Sequence, residues 1–422
     1  MRRYTPPYFP PRPPVRAYLW LWIVEHPQRH KEARVAEIEI GIGKSGRQAY
    51  GFDDIAIVPS RRTRDPHDVD INWQIDAYEF DLPLLGAAMD GVSSPRSVVE
   101  LGRIGGLGVL NLEGLWTRYA DPEPLLAEIA ELDTTVATAR MQEIYKQPID
   151  ADLISQRVTE LKSAGIVAAA SLTPQRVEQY HQVALEAGLD ILVIQGTVVS
   201  AEHVSSREEP LNLKEFIARY DIPVIVGGCA SYASALHLAR TGAAGILVGV
   251  GPGNACTTRG VLGIGVPQAT AIADAAGARV RHLEETGRYV QIIADGGMRT
   301  GGDVAKAIAC GADAVMLGSP LARASEAPGR GYHWGMATFH PDLPRGARIK
   351  VDSIGSLREI LEGPAAQNDG TLNLFGALRT SMATCGYATI KEFQRAEVLV
   401  APSLQTEGKH YQRQQGVGMG RR

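Results

Sequence analysis

From about residue 50 the chain alternates short apolar runs with amphipathic segments, and the runs number eight. They are Leu82 to Met89, Leu107 to Leu110, Val167 to Ala170, Ile191 to Ile194, Pro223 to Val226, Ile246 to Val250, Gln291 to Ala294 and Ala314 to Leu317. Each spans four to eight residues rich in Val, Ile, Leu and Ala without strict polar alternation, as expected of parallel strands covered on both faces. The segments between them read as helices, several closing on Ala-Gly or Gly-Ala pairs, such as Ala184-Leu-Glu-Ala-Gly-Leu-Asp190 and Ala305-Lys-Ala-Ile-Ala-Cys-Gly-Ala-Asp313. Eight such units predict an α/β fold of the (β/α)8 barrel type in one domain. A doubly wound open sheet is the alternative. The number of runs, and the glycine signals after the seventh and eighth, favour the barrel.

Composition narrows the function classes. An apolar fraction of 45%, a charged fraction of 21% and a formal net charge of −4 suit a globular protein and leave no basic footprint for nucleic acid. The four cysteines, Cys229, Cys256, Cys310 and Cys385, show neither CxxC spacing nor neighbouring histidines, so no disulfide framework or zinc site is expected, and a reducing cytoplasm fits best. Residues 1–37 are Pro/Arg-rich, and their one apolar run, Ala17 to Val24, is too short to span a bilayer and lacks a small-residue cleavage site behind it. They are read as a dispensable extension, with the barrel over 38–400, a tail over 401–422 and no membrane association.

The chemistry is expected in Gly251-Pro-Gly-Asn-Ala-Cys-Thr-Thr-Arg259, directly after the sixth run. Glycines let the backbone turn sharply there, so that Cys256 emerges at a strand's carboxyl end, where barrel enzymes keep their reactive groups. A lone cysteine more often serves as a small core residue. That is the reading for Cys229, at a strand end, and for Cys310, in an apolar helix; Cys385 receives no role. Glycine clusters in Ala294-Asp-Gly-Gly-Met-Arg-Thr-Gly-Gly-Asp303 and Leu317-Gly-Ser319 free backbone N–H groups to surround a phosphate, aided by a helix expected to start near Asp303. The implied ligand carries one phosphate and a carbon within reach of Cys256. The basic cluster Arg61, Arg62 and Arg64 reads as a solvated charge run.

The cysteine loop, together with Gly51-Phe-Asp-Asp-Ile-Ala-Ile-Val-Pro59, Ala88-Met-Asp90, Gly263-Ile-Gly-Val-Pro-Gln268, Gly302-Asp-Val-Ala-Lys306 and Trp334-Gly-Met336, resembles the IMP dehydrogenase/GMP reductase family. The resemblance implies a TIM barrel that acts at C2 of IMP or GMP through a covalent Cys256 intermediate, with NAD(P) or NAD(P)H as hydride partner. It assigns Thr258 and the position of Arg345 to catalysis. Asn254, Asp295, Gly296, Gly297, Gly318, Ser319, Gly335, Met336 and Ala337 would bind substrate, Asp295 through the ribose and Gly335 to Ala337 through the base edge. Gln195, Gly196, Thr197 and Gly251 would meet the cofactor. Backbone carbonyls of Gly251, Gly253 and Cys256 would hold a monovalent cation, typically potassium, and the assembly would be a homotetramer or octamer.

Departures from the family pattern point to the reaction's direction. Only about 55 residues separate Asn111 from Val167, too few for the tandem CBS module many dehydrogenases insert there, so a helical connection is expected over Asp121 to Lys162. After Met336 the chain has a short stretch to Arg348 without the Arg-Tyr pair that dehydrogenases use to activate water, and Ala87 replaces their pocket serine. Arg345 stands where reductases pair a glutamate with the threonine, and Gln195 where both branches place an aspartate. The chain thus resembles a CBS-lacking bacterial branch. A GMP reductase is the first expectation, an IMP dehydrogenase the alternative, and a catalytically weak nucleotide-binding partner of a family enzyme the third.

Overall fold

In the computed structural model, which describes residues 37–204, 206, 210–335, 347–402 and 407–421, the eight runs are eight parallel strands closed into a barrel. They are β1 (Leu84–Gly86), β2 (Leu107–Asn111), β3 (Ala169–Leu172), β4 (Ile191–Gln195), β5 (Val224–Cys229), β6 (Gly245–Val248), β7 (Gln291–Asp295) and β8 (Ala314–Leu317). Closure comes from β8 pairing with β1, Val315 opposite Leu84 and Leu317 opposite Gly86. The first run is longer than its strand because the chain turns at Met89, whose carbonyl accepts from the N–H groups of Val92 and Ser93. The third strand lies two residues later than its apolar run begins.

Although the strands read as continuous apolar runs, their residues sort by parity. Leu85, Val109, Val193, Leu247, Ile293 and Met316 belong to the cluster that fills the barrel. Their neighbours Leu84, Leu192, Ile246, Ile292 and Val315 belong to a second cluster shared with the surrounding helices. A strand buried on both faces needs apolar residues at every position, which erases the period-two signal. The amino end of the barrel is stoppered by a hairpin that pairs Trp73–Ile75 with Tyr78–Phe80. Trp73 and Phe80 stack there at 5.3 Å, and the Trp73 indole donates to the side chain of Gln291, the first residue of β7.

Helix α1 (Pro95–Ile104) joins β1 to β2, and α2 (Glu123–Glu131), α3 (Thr134–Ile144) and α4 (Ala151–Ser163) form the helical connection between β2 and β3. By contact the chain divides into the units 1–48 and 49–422. The first contains an antiparallel hairpin of Glu37–Gly41 with Lys44–Arg47, and the Ala17 to Val24 run lies outside the described residues. Near the other terminus, Val398–Val400 pairs with Ile55–Ile57. Among the described residues no helix is long and apolar enough to cross a membrane.

The amino end also carries a cluster of buried charge around Asp313. Asp313, fully buried just before β8, accepts from Arg279 at 2.9 Å, from the Tyr289 hydroxyl and the Gln394 amide at 2.8 Å each, from the Ile292 N–H at 2.8 Å, and from Lys391. Burial opposes ionisation, but the Arg279 and Lys391 charges outweigh it and hold the carboxyl well below its usual range. A depressed carboxyl contributes stability that is complete above about pH 4 and disappears as acid titrates it. Asp313→Ala leaves Arg279 buried without its counter-charge, and a cost of about 3–5 kcal/mol is expected in denaturant unfolding at pH 7. The difference from wild type should shrink below pH 4.

Candidate functional site

The carboxyl ends of β6, β7 and β8 form one corner of the barrel mouth. Asp295 ends β7, and Gly296 and Gly297 follow with φ of +79° and +83°, a left-handed pair that side chains rarely adopt. A Cβ at Gly297 would sit 3.1 Å from Pro252 Cβ, and one at Gly296 3.3 Å from the Gly253 nitrogen, so the two glycine turns pack against each other. Successive N–H groups in such turns make an anion-binding concavity. The next helix starts at Gly301, two residues before Asp303, and its Gly301 N–H already bonds the Gly370 carbonyl at 2.9 Å. Thr300 caps the Asp303 N–H, and the Asp303 carboxylate accepts from the N–H groups of Arg299 and Thr300.

Ser319 joins this corner to the cysteine loop. Its hydroxyl accepts from the Asn254 amide at 3.1 Å and meets His333 Nε2 at 3.1 Å. His333 is fully buried, and that burial pushes its imidazole down to about 4, so it is neutral at physiological pH. Nothing in the sequence singled out His333; the only signal was its place beside the Trp334-Gly335 step.

The cysteine loop is shaped from both sides. The Cys256 N–H bonds the Gly253 carbonyl at 3.0 Å, and its thiol lies 3.1 Å from the Thr258 hydroxyl, a side chain with no exposed surface. Arg259 runs between Gly251 and Gly265: a Cβ on either would lie 2.6 Å from its Cγ, and its guanidinium donates to the Val266 carbonyl at 2.8 Å. Gln268 donates to the Val248 carbonyl at 2.7 Å and the Asp295 carbonyl at 3.2 Å, tying the ends of β6 and β7 together. These two residues belong to motifs visible in the sequence, but their jobs were not.

Gln195 ends β4 and donates to Asp295 Oδ2 at 3.1 Å across the mouth. Burial raises the Asp295 carboxyl to about 6, opposed by that hydrogen bond. Gly196 and Thr197 follow, and buried Gly228 packs against them: a Cβ there would lie 2.6 Å from the Gly249 carbonyl and 3.6 and 3.5 Å from those of Gly196 and Thr197. Gly335 lies beside the Ala255 carbonyl, 4.0 Å from where its Cβ would be, and the same carbonyl accepts from the Ala347 N–H at 3.0 Å. Met336, Ala337 and Arg345 lie outside the described residues. Among those described, no group of three or more His, Cys, Asp or Glu side chains forms a metal site. The structure thus gathers Cys256, Thr258, Asn254, Asp295, Gly296, Gly297, Ser319 and Gln195 at one mouth; Cys229, which ends β5, and Cys385 are buried, and Cys310 is half-buried just after the helix that follows β7.

A family model described as IMP dehydrogenase / GMP reductase domain matches residues 49–339. An uncharacterized oxidoreductase of Mycobacterium tuberculosis is 49% identical over 86% of this chain and 99% of its own. The IMP dehydrogenase of Methanocaldococcus jannaschii is 27% identical over 86% of this chain and 94% of its own. Among solved structures, an IMP dehydrogenase/GMP reductase-like protein of Corynebacterium glutamicum superposes with a TM-score of 0.82 at 48% identity, covering 86% of this chain and 97% of that one.

Burial pushes the thiols of Cys229 and Cys310 up to about 12. Alkylation with iodoacetamide at pH 8 should therefore label Cys256 well before either, with 5,5′-type thiol counting near one fast group and peptide mass spectrometry locating it. Fast labelling of Cys229 would contradict this ordering.

Proposed function

The chain belongs to the IMP dehydrogenase/GMP reductase family, and from that premise we propose that this oxidoreductase is a GMP reductase, converting GMP to IMP and ammonia. The observation that carries the reading is the 3.1 Å contact of Cys256 with Thr258, set beside the glycine corner suited to a phosphate. The Cys256 thiolate adds to C2 of the purine, and Thr258 relays a proton to the departing amine, so that ammonia leaves and a covalent thioimidate remains. A bound reduced nicotinamide would supply the hydride to C2. The C2–S bond then breaks, returning Cys256 as thiolate and releasing IMP. The half-buried Gln195, Gly196 and Thr197 at the carboxyl end of β4 offer the nicotinamide a place beside this mouth. The carbonyls of Gly251, Gly253 and Cys256 are uncharged donors, which suits a potassium ion that would hold the loop without entering the chemistry.

Direction rests on the sequence after Met336. Hydrolysis of the covalent intermediate needs a positioned base, a contribution of about 10² to 10⁴ in rate, and the short stretch before Arg348 has no Arg-Tyr pair to supply it. Arg345 is a poor substitute, because a guanidinium does not deprotonate at neutral pH. Ammonia loss makes no such demand on water.

Purified protein given GMP and NADPH or NADH should release ammonia and IMP, and Cys256→Ala should abolish turnover while still binding GMP. Rapid XMP formation from IMP and NAD, with no GMP consumed, would overturn the assignment in favour of the dehydrogenase. Asp295 must be ionised to accept from both ribose hydroxyls. Its carboxyl, raised to about 6 in the free protein, loses that capacity as pH falls, so KM for GMP should climb below pH 6 while remaining flat from pH 7 to 8. A profile level down to pH 4.5 would show that Asp295 does not hold the ribose.

A further inference from the structure

The connection between β2 and β3 reaches into the site. Tyr145 directly follows α3, is 7% exposed, and its hydroxyl accepts from the Trp334 indole at 3.0 Å while donating to Asp90 Oδ2. Asp90 has no exposed surface and lies in the turn after β1. Its Oδ2 also accepts from the Leu115 N–H at 2.9 Å, and Gly114 admits the carboxylate by lacking a side chain, since a Cβ there would lie 2.0 Å from Oδ1. Trp334 is itself fully buried, one residue before the Gly335 backbone that lies beside the Cys256 loop. An indole N–H in that position needs an acceptor, and a hydroxyl that passes the bond on to a carboxylate is a stronger one than a lone hydroxyl.

The same connection grips the strands on both sides of residues 336–346. Tyr332–His333 pairs with Ile349–Lys350, and Arg348 stacks its guanidinium 4.4 Å over the Tyr332 ring. Arg348 also donates to the Leu132 carbonyl at 2.6 Å and to the Ile129 carbonyl, at the end of α2. The helices that stand where many relatives carry a CBS module are here attached to the site itself.

We propose that Tyr145 is a positioning residue for purine recognition: by bonding Trp334 to Asp90 it fixes the Trp334-Gly335 backbone beside the Cys256 loop, where the edge of the base is read. The inference rests on the purine-nucleotide reading above and extends it to a side chain contributed from outside the barrel strands and their carboxyl-end turns. Tyr145 touches no reacting atom, so its removal should weaken recognition of the base while sparing the phosphate corner, which is built from β6, β7 and β8.

The test is calorimetric titration of GMP and of ribose 5-phosphate, which lacks the base, into wild type, Tyr145→Phe, Trp334→Phe and the double variant, with a melting curve for each. Loss of one hydrogen bond of this kind should weaken GMP binding about three- to tenfold and leave ribose 5-phosphate unchanged. The double variant should be no worse than the weaker single, because both break the same chain. Equal weakening of both ligands, unchanged GMP binding, or additive losses would overturn the proposal, as each would make Tyr145 a stabilising residue only. Should Tyr145→Phe fail to fold, Trp334→Phe with the two ligands decides the question alone. Wild type that binds ribose 5-phosphate but not GMP would remove the purine reading and this inference with it, a result distinct from a normal wild type with an indifferent Tyr145→Phe.

Discussion

Hydrogen bonding between β8 and β1 is the constraint on which the rest of the molecule depends. Once Leu317 lies opposite Gly86, every strand has two neighbours, no edge is left unpaired, and all eight carboxyl ends must point to one mouth. Cys256 and Asp295 are 39 residues apart in sequence, and Gln195 is 100 from Asp295, yet closure brings them to one opening, where Gln195 bonds Asp295 directly. The other end is free to serve stability. There the Trp73 hairpin stoppers the interior, and Asp313 gathers Arg279, Tyr289, Lys391 and Gln394.

At the mouth, glycine does two different things. Gly296 and Gly297 supply left-handed backbone, while Gly251 and Gly265 make room for the Arg259 stem and Gly114 for the Asp90 carboxylate. Side-chain hydrogen bonds then fix the glycine turns relative to one another: Gln268 spans the β6 and β7 ends, and Asn254 and His333 share the Ser319 hydroxyl. The Arg259 stem packed between Gly251 and Gly265 thereby holds the Cys256 loop in one place.

Burial sets the electrostatics of the site in opposite senses for acid and base. It raises Asp295 to about 6 and lowers His333 to about 4, in both cases because the charged form loses water. At neutral pH His333 is therefore uncharged, whereas Asp295 remains largely ionised. The Gln195 amide supports that ionised form by donating to Asp295, where an aspartate would place two carboxylates face to face.

The eight runs, and the placing of the cysteine loop and the glycine turns just beyond strand ends, were legible in the sequence because each rests on local chemistry: apolar composition of buried strands and glycines at turns. Local chemistry also predicted the helical character of the β2–β3 connection, though not what it touches. Tertiary structure alone decided that Tyr145 meets Trp334, 189 residues away, that His333 meets Ser319, and that Gln195 turns to Asp295. The physical reason is common to all of them. A buried polar group must find a partner wherever closure of the barrel puts one, and that choice depends on distances in space which no period or motif along the chain encodes.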